Sequence, residues 1–150
     1  MVRHIFGDSF CFYEVMGTED YSRSDEWRVM AEEVIDDNED LHWIRNSGVR
    51  IDYVISFKEK KKSGDVYVHA ECKCINDFFK LYCPYDFVIV IYLPNIGHMS
   101  DEQKRILLYH ELRHVNFKET KDGVGKYTIR PHDIEDFKNI ITQFGMDWAE

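Results

Sequence analysis

Apolar positions in this chain recur first at a helical period and then at a strand period. In "SDEWRVMAEEVIDDNEDLHWI", Trp27, Met30, Ala31, Val34 and Ile35 fall at three- and four-residue intervals behind Ser24 and two acids. The spacing predicts one amphipathic helix, capped by Ser24, with Asp25 and Glu26 at its positive end. From Val49 the period drops to two: Val49, Ile51, Tyr53, Ile55 and Phe57 alternate with more polar neighbours, as in a half-buried strand. The polar run "KEKKKSGD" reads as a solvated turn, and "VYVHAECKCI" resumes the alternation, so residues 49–75 are expected to form a β-hairpin with a longer loop.

"NDFFKLY" is expected to be a short helix or turn. "DFVIVIYL", residues 86–93, is almost entirely apolar and predicts a strand covered on both faces. Pro94, Asn95 and Gly97 end it, and Ser100 stands three residues before Gln103, the signature of a capping box. The helix behind that box should run from about Asp101 to Asn116. Residues 117–130 are polar, with Gly123 and Gly125, and read as a loop with a short extended end at Tyr127 to Ile129. Pro131 then suits a first helical turn, and Ile134, Phe137, Ile140, Ile141 and Phe144 form a stripe that Gly145 can terminate.

These elements make an α+β fold in one domain over residues 24–150, preceded by an irregular extension over residues 1–23. A chain of 150 residues with 44% hydrophobic and 15% aromatic content can bury a full core without disulfides. The formal charge of −9 argues against broad nucleic-acid or anionic-membrane binding, both of which favour a basic surface. Residues 1–17 are interrupted by His4, Asp8 and Glu14 and contain no continuous apolar core for export or membrane insertion, so the expected location is the cytoplasm. There Cys11, Cys72, Cys74 and Cys83 should be reduced. Strand alternation places Val66, Val68, Ala70, Cys72 and Cys74 on one face and His69, Glu71 and Lys73 on the other. A zinc site of His69, Cys72 and Cys74 would therefore need a bulge, and the thiols are read as small core residues.

The chemistry is concentrated in "LLYHELRHVNF", residues 107–117. Residues four apart on a helix lie one turn apart on one face, so His110 and His114 can offer two imidazole nitrogens to one ion. Zn²⁺ suits such donors, and in catalytic centres it keeps a position for water. Glu111 stands at the edge of that face, where it can take a proton from the water as the general base and return it to the leaving amine. The third metal ligand must come from elsewhere. His132 is the leading candidate, with Asp133 and His98 as alternatives, and Asp136 lies one turn beyond His132 to orient a ligand histidine. Tyr127, Arg130, Arg113 and Tyr109 are candidate donors to an oxyanion. His4, His42 and His69 have no partner at a useful spacing and are expected at the surface.

At this point the sequence resembles the phage metallopeptidase family, small zincin-like proteins of the HExxH type. The resemblance rests on "YDFVIVIY" leading through a short loop to "SDEQKRILLYHELRHV", and on "RPHDIEDFKNIITQFGMDW". It covers roughly residues 24–148. It implies a minimal zincin-like fold: a small mixed or antiparallel sheet packed on an N-terminal helix, with an active-site helix and a C-terminal helix holding zinc. The strand before the active-site helix would pair with an extended peptide or protein substrate. His110 and His114 carry over as zinc ligands and Glu111 as the catalytic acid/base. A non-catalytic, zinc-stabilised protein engaging a host factor is one alternative, and a SprT-like protease acting on DNA-bound proteins is another. The family setting places the protein in a bacterial host cell, encoded by a phage or prophage.

Overall fold

The computed structural model describes residues 2–5, 12–15 and 17–131. Its architecture is α+β. The beginning of the chain, read from sequence as irregular, contains an antiparallel pair, β1 (Val2–Ile5) and β2 (Phe12–Val15). The main sheet is mixed and four-stranded, in the order β3 (Tyr21–Arg23), β4 (Ile51–Ser56), β6 (Phe87–Tyr92), β5 (Ala70–Cys74). Helices α1 (Asp25–Asp37) and α3 (Asp101–Leu112) pack against each other and against this sheet, and a short α2 (His42–Asn46) follows α1.

The Ser24 side chain caps α1 by accepting from the Trp27 N–H at 3.2 Å. The helix does not continue to Ile44 as its spacing suggests. Asn38 leaves the helical conformation at φ −128°, and its side-chain amide donates to the Val34 carbonyl at 2.8 Å. An amide that satisfies a last-turn carbonyl competes with helix propagation, which is why the run breaks into α1 and α2.

The expected hairpin over residues 49–75 is not formed. Strand β4 pairs in parallel with β6 and antiparallel with β3, while β5 pairs antiparallel with the other side of β6. The lysine-rich turn instead closes a small hairpin of its own. Val68 donates to the Lys60 carbonyl and Lys62 to that of Val66, around Gly64 at φ +78°. Of the residues placed on one face by alternation, Ala70, Cys72 and Cys74 do pack on the main core. Val68 instead packs on the opposite face, with Val90 and Tyr92, and Val66 is exposed. Because β6 has a strand on each edge and a packed cluster on each face, its near-continuous apolar sequence follows.

The core lies between the sheet and the two long helices. Trp27, Ala31, Val34 and Ile35 from α1 meet Phe87, Ile89 and Ile91 from β6 and Leu107, Leu108 and Leu112 from α3. Helix α3 opens with the expected capping box: Gln103 donates its N–H to Ser100 Oγ at 3.2 Å, and the Ser100 N–H reaches Gln103 Oε1 at 2.9 Å. It ends at Leu112, short of Asn116. The segment expected as a loop is a second hairpin, β7 (Val115–Glu119) with β8 (Gly125–Ile129), turning through Gly123 at φ +78°. At Gly125 a Cβ would lie 2.0 Å from the Phe117 ring, so that ring can cross the partner strand only over a glycine. Among the described residues, no helix is long and apolar enough to cross a membrane. The helix expected after Pro131, with His132, Asp133 and Asp136, lies outside the described residues.

Candidate metal centre

The last turn of α3 divides its side chains between two tasks. Leu107, Leu108 and Leu112 enter the core, while His110, Glu111 and His114 are also buried, each less than one-tenth exposed. Polar groups buried to this degree need partners or a ligand. His114 lies just beyond α3, yet the helical turn persists: the Arg113 N–H reaches the Tyr109 carbonyl at 3.1 Å, and the His114 N–H reaches that of Glu111, also at 3.1 Å. The two imidazoles thus stay one turn apart, with ring centroids 5.0 Å apart and planes nearly perpendicular. One donor atom from each of His110, Glu111 and His114 can be chosen so that all lie within 4.8 Å of one another. Among the described residues, no other histidine, cysteine and carboxylate side chains form such a group.

Strand β8 brings the chain back to fix one of these rings. His114 Nδ1 lies 2.6 Å from the Arg130 carbonyl, and the Arg130 N–H donates to the His114 carbonyl at 2.7 Å. A carbonyl oxygen can only accept, so Nδ1 carries the hydrogen and Nε2 keeps the lone pair that a metal needs. The donor set therefore fits a divalent transition metal in chemistry and tautomer.

Glu111 is held by the sheet. The ladder between β5 and β6 includes bonds from Tyr92 N–H to the His69 carbonyl and from Ile75 N–H to the Asp86 carbonyl. In an antiparallel pair such residues alternate with ones whose backbone groups face away. Ala70, Cys72 and Cys74 consequently turn their N–H and C=O groups to the outer edge of β5, and the Cys72 N–H donates to the Glu111 carboxylate. Burial pushes the Glu111 pKa up to about 8, with a further push from the charge of Glu71; the Cys72 N–H and Lys62 act in the opposite direction. The Cys72 thiol is also raised, first by burial and then by Glu111 beside it.

The other candidates lie elsewhere. His98 is exposed, its ring stands 6.1 Å from that of His69, and neither joins the His110–Glu111–His114 group. His42 Nε2 contacts the Asp36 carbonyl at 3.0 Å. Tyr109 donates to Asp40 Oδ2 at 2.9 Å, and Arg113 donates to the Tyr109 hydroxyl at 2.9 Å, so both brace α3 against the turn before α2. The Tyr127 ring lies edge-on to Phe87 and Phe117, and the Arg130 guanidinium reaches Asn116 Oδ1 at 3.3 Å. His69, Cys72 and Cys74 do not form a donor group, and Cys74 Sγ instead lies 3.4 Å from the Tyr127 carbonyl.

One expectation about the sheet is overturned. The strand before α3 is β6, whose two edges are occupied by β4 and β5, so it has no free edge to offer a peptide. Among the described residues, the outer edge of β5 pairs with no strand, and this edge is the one next to Glu111. Sequence reading missed both backbone partners, the Cys72 N–H and the Arg130 carbonyl. The first was within reach, because an apolar run as continuous as β6 belongs in the middle of a sheet and leaves β5 outermost. The second carries no side-chain signal.

No match was found among curated proteins or among solved structures. Residues 19–150, which include both edges of the sheet and the whole His110–His114 turn, match one described family, and on that match the chain belongs to the "Putative phage metallopeptidase" family.

Proposed function

We propose that this protein is a zinc-dependent peptidase, with His110 and His114 as zinc ligands and Glu111 as the general base and acid. The observation that carries this reading is the buried His110–Glu111–His114 group, in which the carboxylate is held by a strand edge and the His114 tautomer by Arg130. Zinc held there would lower the pKa of a water toward about 7 and polarise the scissile carbonyl. Glu111 takes the proton as the water oxygen forms its bond to carbon, and returns it to the nitrogen as the carbon–nitrogen bond breaks. Its raised pKa in the absence of a cation suits a group that must hold a proton between those steps.

The third ligand is proposed to be His132. Arg130 is docked on His114 through both its N–H and its carbonyl, and residue 132 follows two Cα steps of about 3.8 Å each, within side-chain reach. The exposed position of His98 counts against it, and Asp133 stands one step further along. The substrate strand is proposed to lie along the outer edge of β5, where the outward-facing backbone of Ala70 and Cys74 flanks the base.

Metal analysis of the purified chain tests the assignment. We expect about one zinc per chain, loss of metal in His110→Ala, weaker retention in His132→Ala, and retention without hydrolysis in Glu111→Gln. Wild-type protein that takes up no metal overturns the reading. Four protein ligands around the ion would instead favour a structural zinc in a binding protein.

A further inference from the structure

The loop between β5 and β6 exposes four large apolar side chains in close succession. Phe78, Phe79, Leu81 and Tyr82 are between 56% and 75% exposed. They do not belong to a slack loop. Asn76 Oδ1 accepts from the Phe79 N–H at 3.0 Å, residues 79–81 form a 3₁₀ turn, and Phe78 packs against the rings of both Phe79 and Tyr82 at centroid distances of 5.5 and 5.8 Å. Lys80 points the other way, with Nζ 3.5 Å from Asp86 and 5.1 Å from the centroid of the Tyr127 ring. Lys80, the one charged residue between Phe78 and Tyr82, thus anchors this turn, which presents its apolar residues as a ridge.

At about 200 Å² for each large side chain, these exposures sum to roughly 500 Å² of apolar surface, the size of a functional patch. That area decides between occupants. A stable dimer needs about 800 Å² from each partner, which the ridge does not supply. A peptide side chain or two can be received by such a surface.

The position of the ridge points to the same occupant. Strand β5 ends at Cys74, whose thiol meets the Tyr127 carbonyl at 3.4 Å, and the Tyr127 ring supports Lys80. From Cys72, beside Glu111, β5 runs two residues to Cys74 and then enters this loop, so a peptide extended along that edge in the same direction, at about 3.4 Å per residue, would come to the ridge roughly three to five residues from Glu111. We propose that the Phe78–Tyr82 ridge is a specificity-determining surface that receives large apolar side chains of an extended peptide substrate, at a distance from the bond cleaved. The inference rests on the peptidase reading of the site.

The test uses zinc-loaded full-length protein and a set of peptides identical except for Leu or Ser placed three, four or five residues to either side of the scissile bond. On one side we expect Leu to be favoured in kcat/KM by about tenfold. In Phe78→Ser/Tyr82→Ser that preference should collapse to about twofold or less, through KM, while the distant exposed Val29→Ser keeps it. If no peptide is cleaved, the peptidase reading fails while the ridge remains testable: the same peptides, dye-labelled, are titrated into Glu111→Gln with and without the two serine substitutions. A Leu preference that the substitutions remove supports the ridge. An unchanged preference, absent binding, or a wild-type dimer that the substitutions dissociate overturns the proposal.

Discussion

The two ends of α3 are built by different means. Its first turn is closed locally, by Ser100 and Gln103 exchanging hydrogen bonds across three residues, and it needs nothing from the rest of the chain. Its last turn is surrounded by distant parts: the Cys72 N–H from β5 holds Glu111, Arg130 after β8 holds His114, and Asp40 before α2 holds Tyr109 and Arg113. A local cap fixes where a helix begins. Only tertiary contacts can hold buried, ionisable side chains in a set geometry, because each of them needs a partner that the helix cannot itself provide.

That contrast can be broken at several points. The largest effect is expected at Glu111→Gln, which should lower peptide hydrolysis by about 10²- to 10⁴-fold with the metal retained, read as kcat alongside zinc content. Leu108→Ala, beneath the same turn in a fully buried position, should cost about 2–5 kcal/mol in a urea melt. Its loss should be shared by both ends of the helix, since the core is common to them.

A subtler effect concerns pH. Burial raises the Glu111 carboxyl from its ordinary 4.5 to about 8, so between those values the metal-free folded protein keeps a proton that the unfolded chain has released. Stability of the metal-free protein should therefore be full below about pH 4.5, fall as pH rises towards 8, and level off above it. Glu111→Gln should remove that slope and stabilise the metal-free protein at pH 8 by on the order of a few kcal/mol, with a smaller gain at pH 5. Urea melts in chelator at the two pH values check this. The smallest effect belongs to the local end: Ser100→Ala should cost about 1 kcal/mol and leave zinc content unchanged.

Legibility in the sequence follows the same division. The starts of α1 and α3, the strand character of residues 51–56 and 87–92, and the core faces of Ile51, Tyr53 and Ile55 were all readable, because caps and periodicity are local. Partners were not. Alternation says which way a side chain faces but not which strand lies beside it, so two alternating runs around a polar turn imitated a hairpin while β6 had taken the place between them. The β7–β8 hairpin escaped because each strand offers only two apolar positions, Val115 and Phe117 in one and Tyr127 and Ile129 in the other, too short an alternation to stand out beside Lys118, Glu119, Gly125 and Lys126. At the candidate metal centre, His110, Glu111 and His114 were visible as side chains. The backbone groups that orient them were not, since every residue but proline has the same N–H and carbonyl to offer.

The bond between His114 and Arg130 also bears on how the chain is made. When the ribosome has completed α3, the hairpin that carries Arg130 has still to be synthesised, so the second imidazole is free to turn and either of its nitrogens can face outward. Only after β7 and β8 have emerged and closed is Nε2 presented. Until the chain has grown past Arg130, the histidine pair therefore has no fixed tautomer to offer an ion.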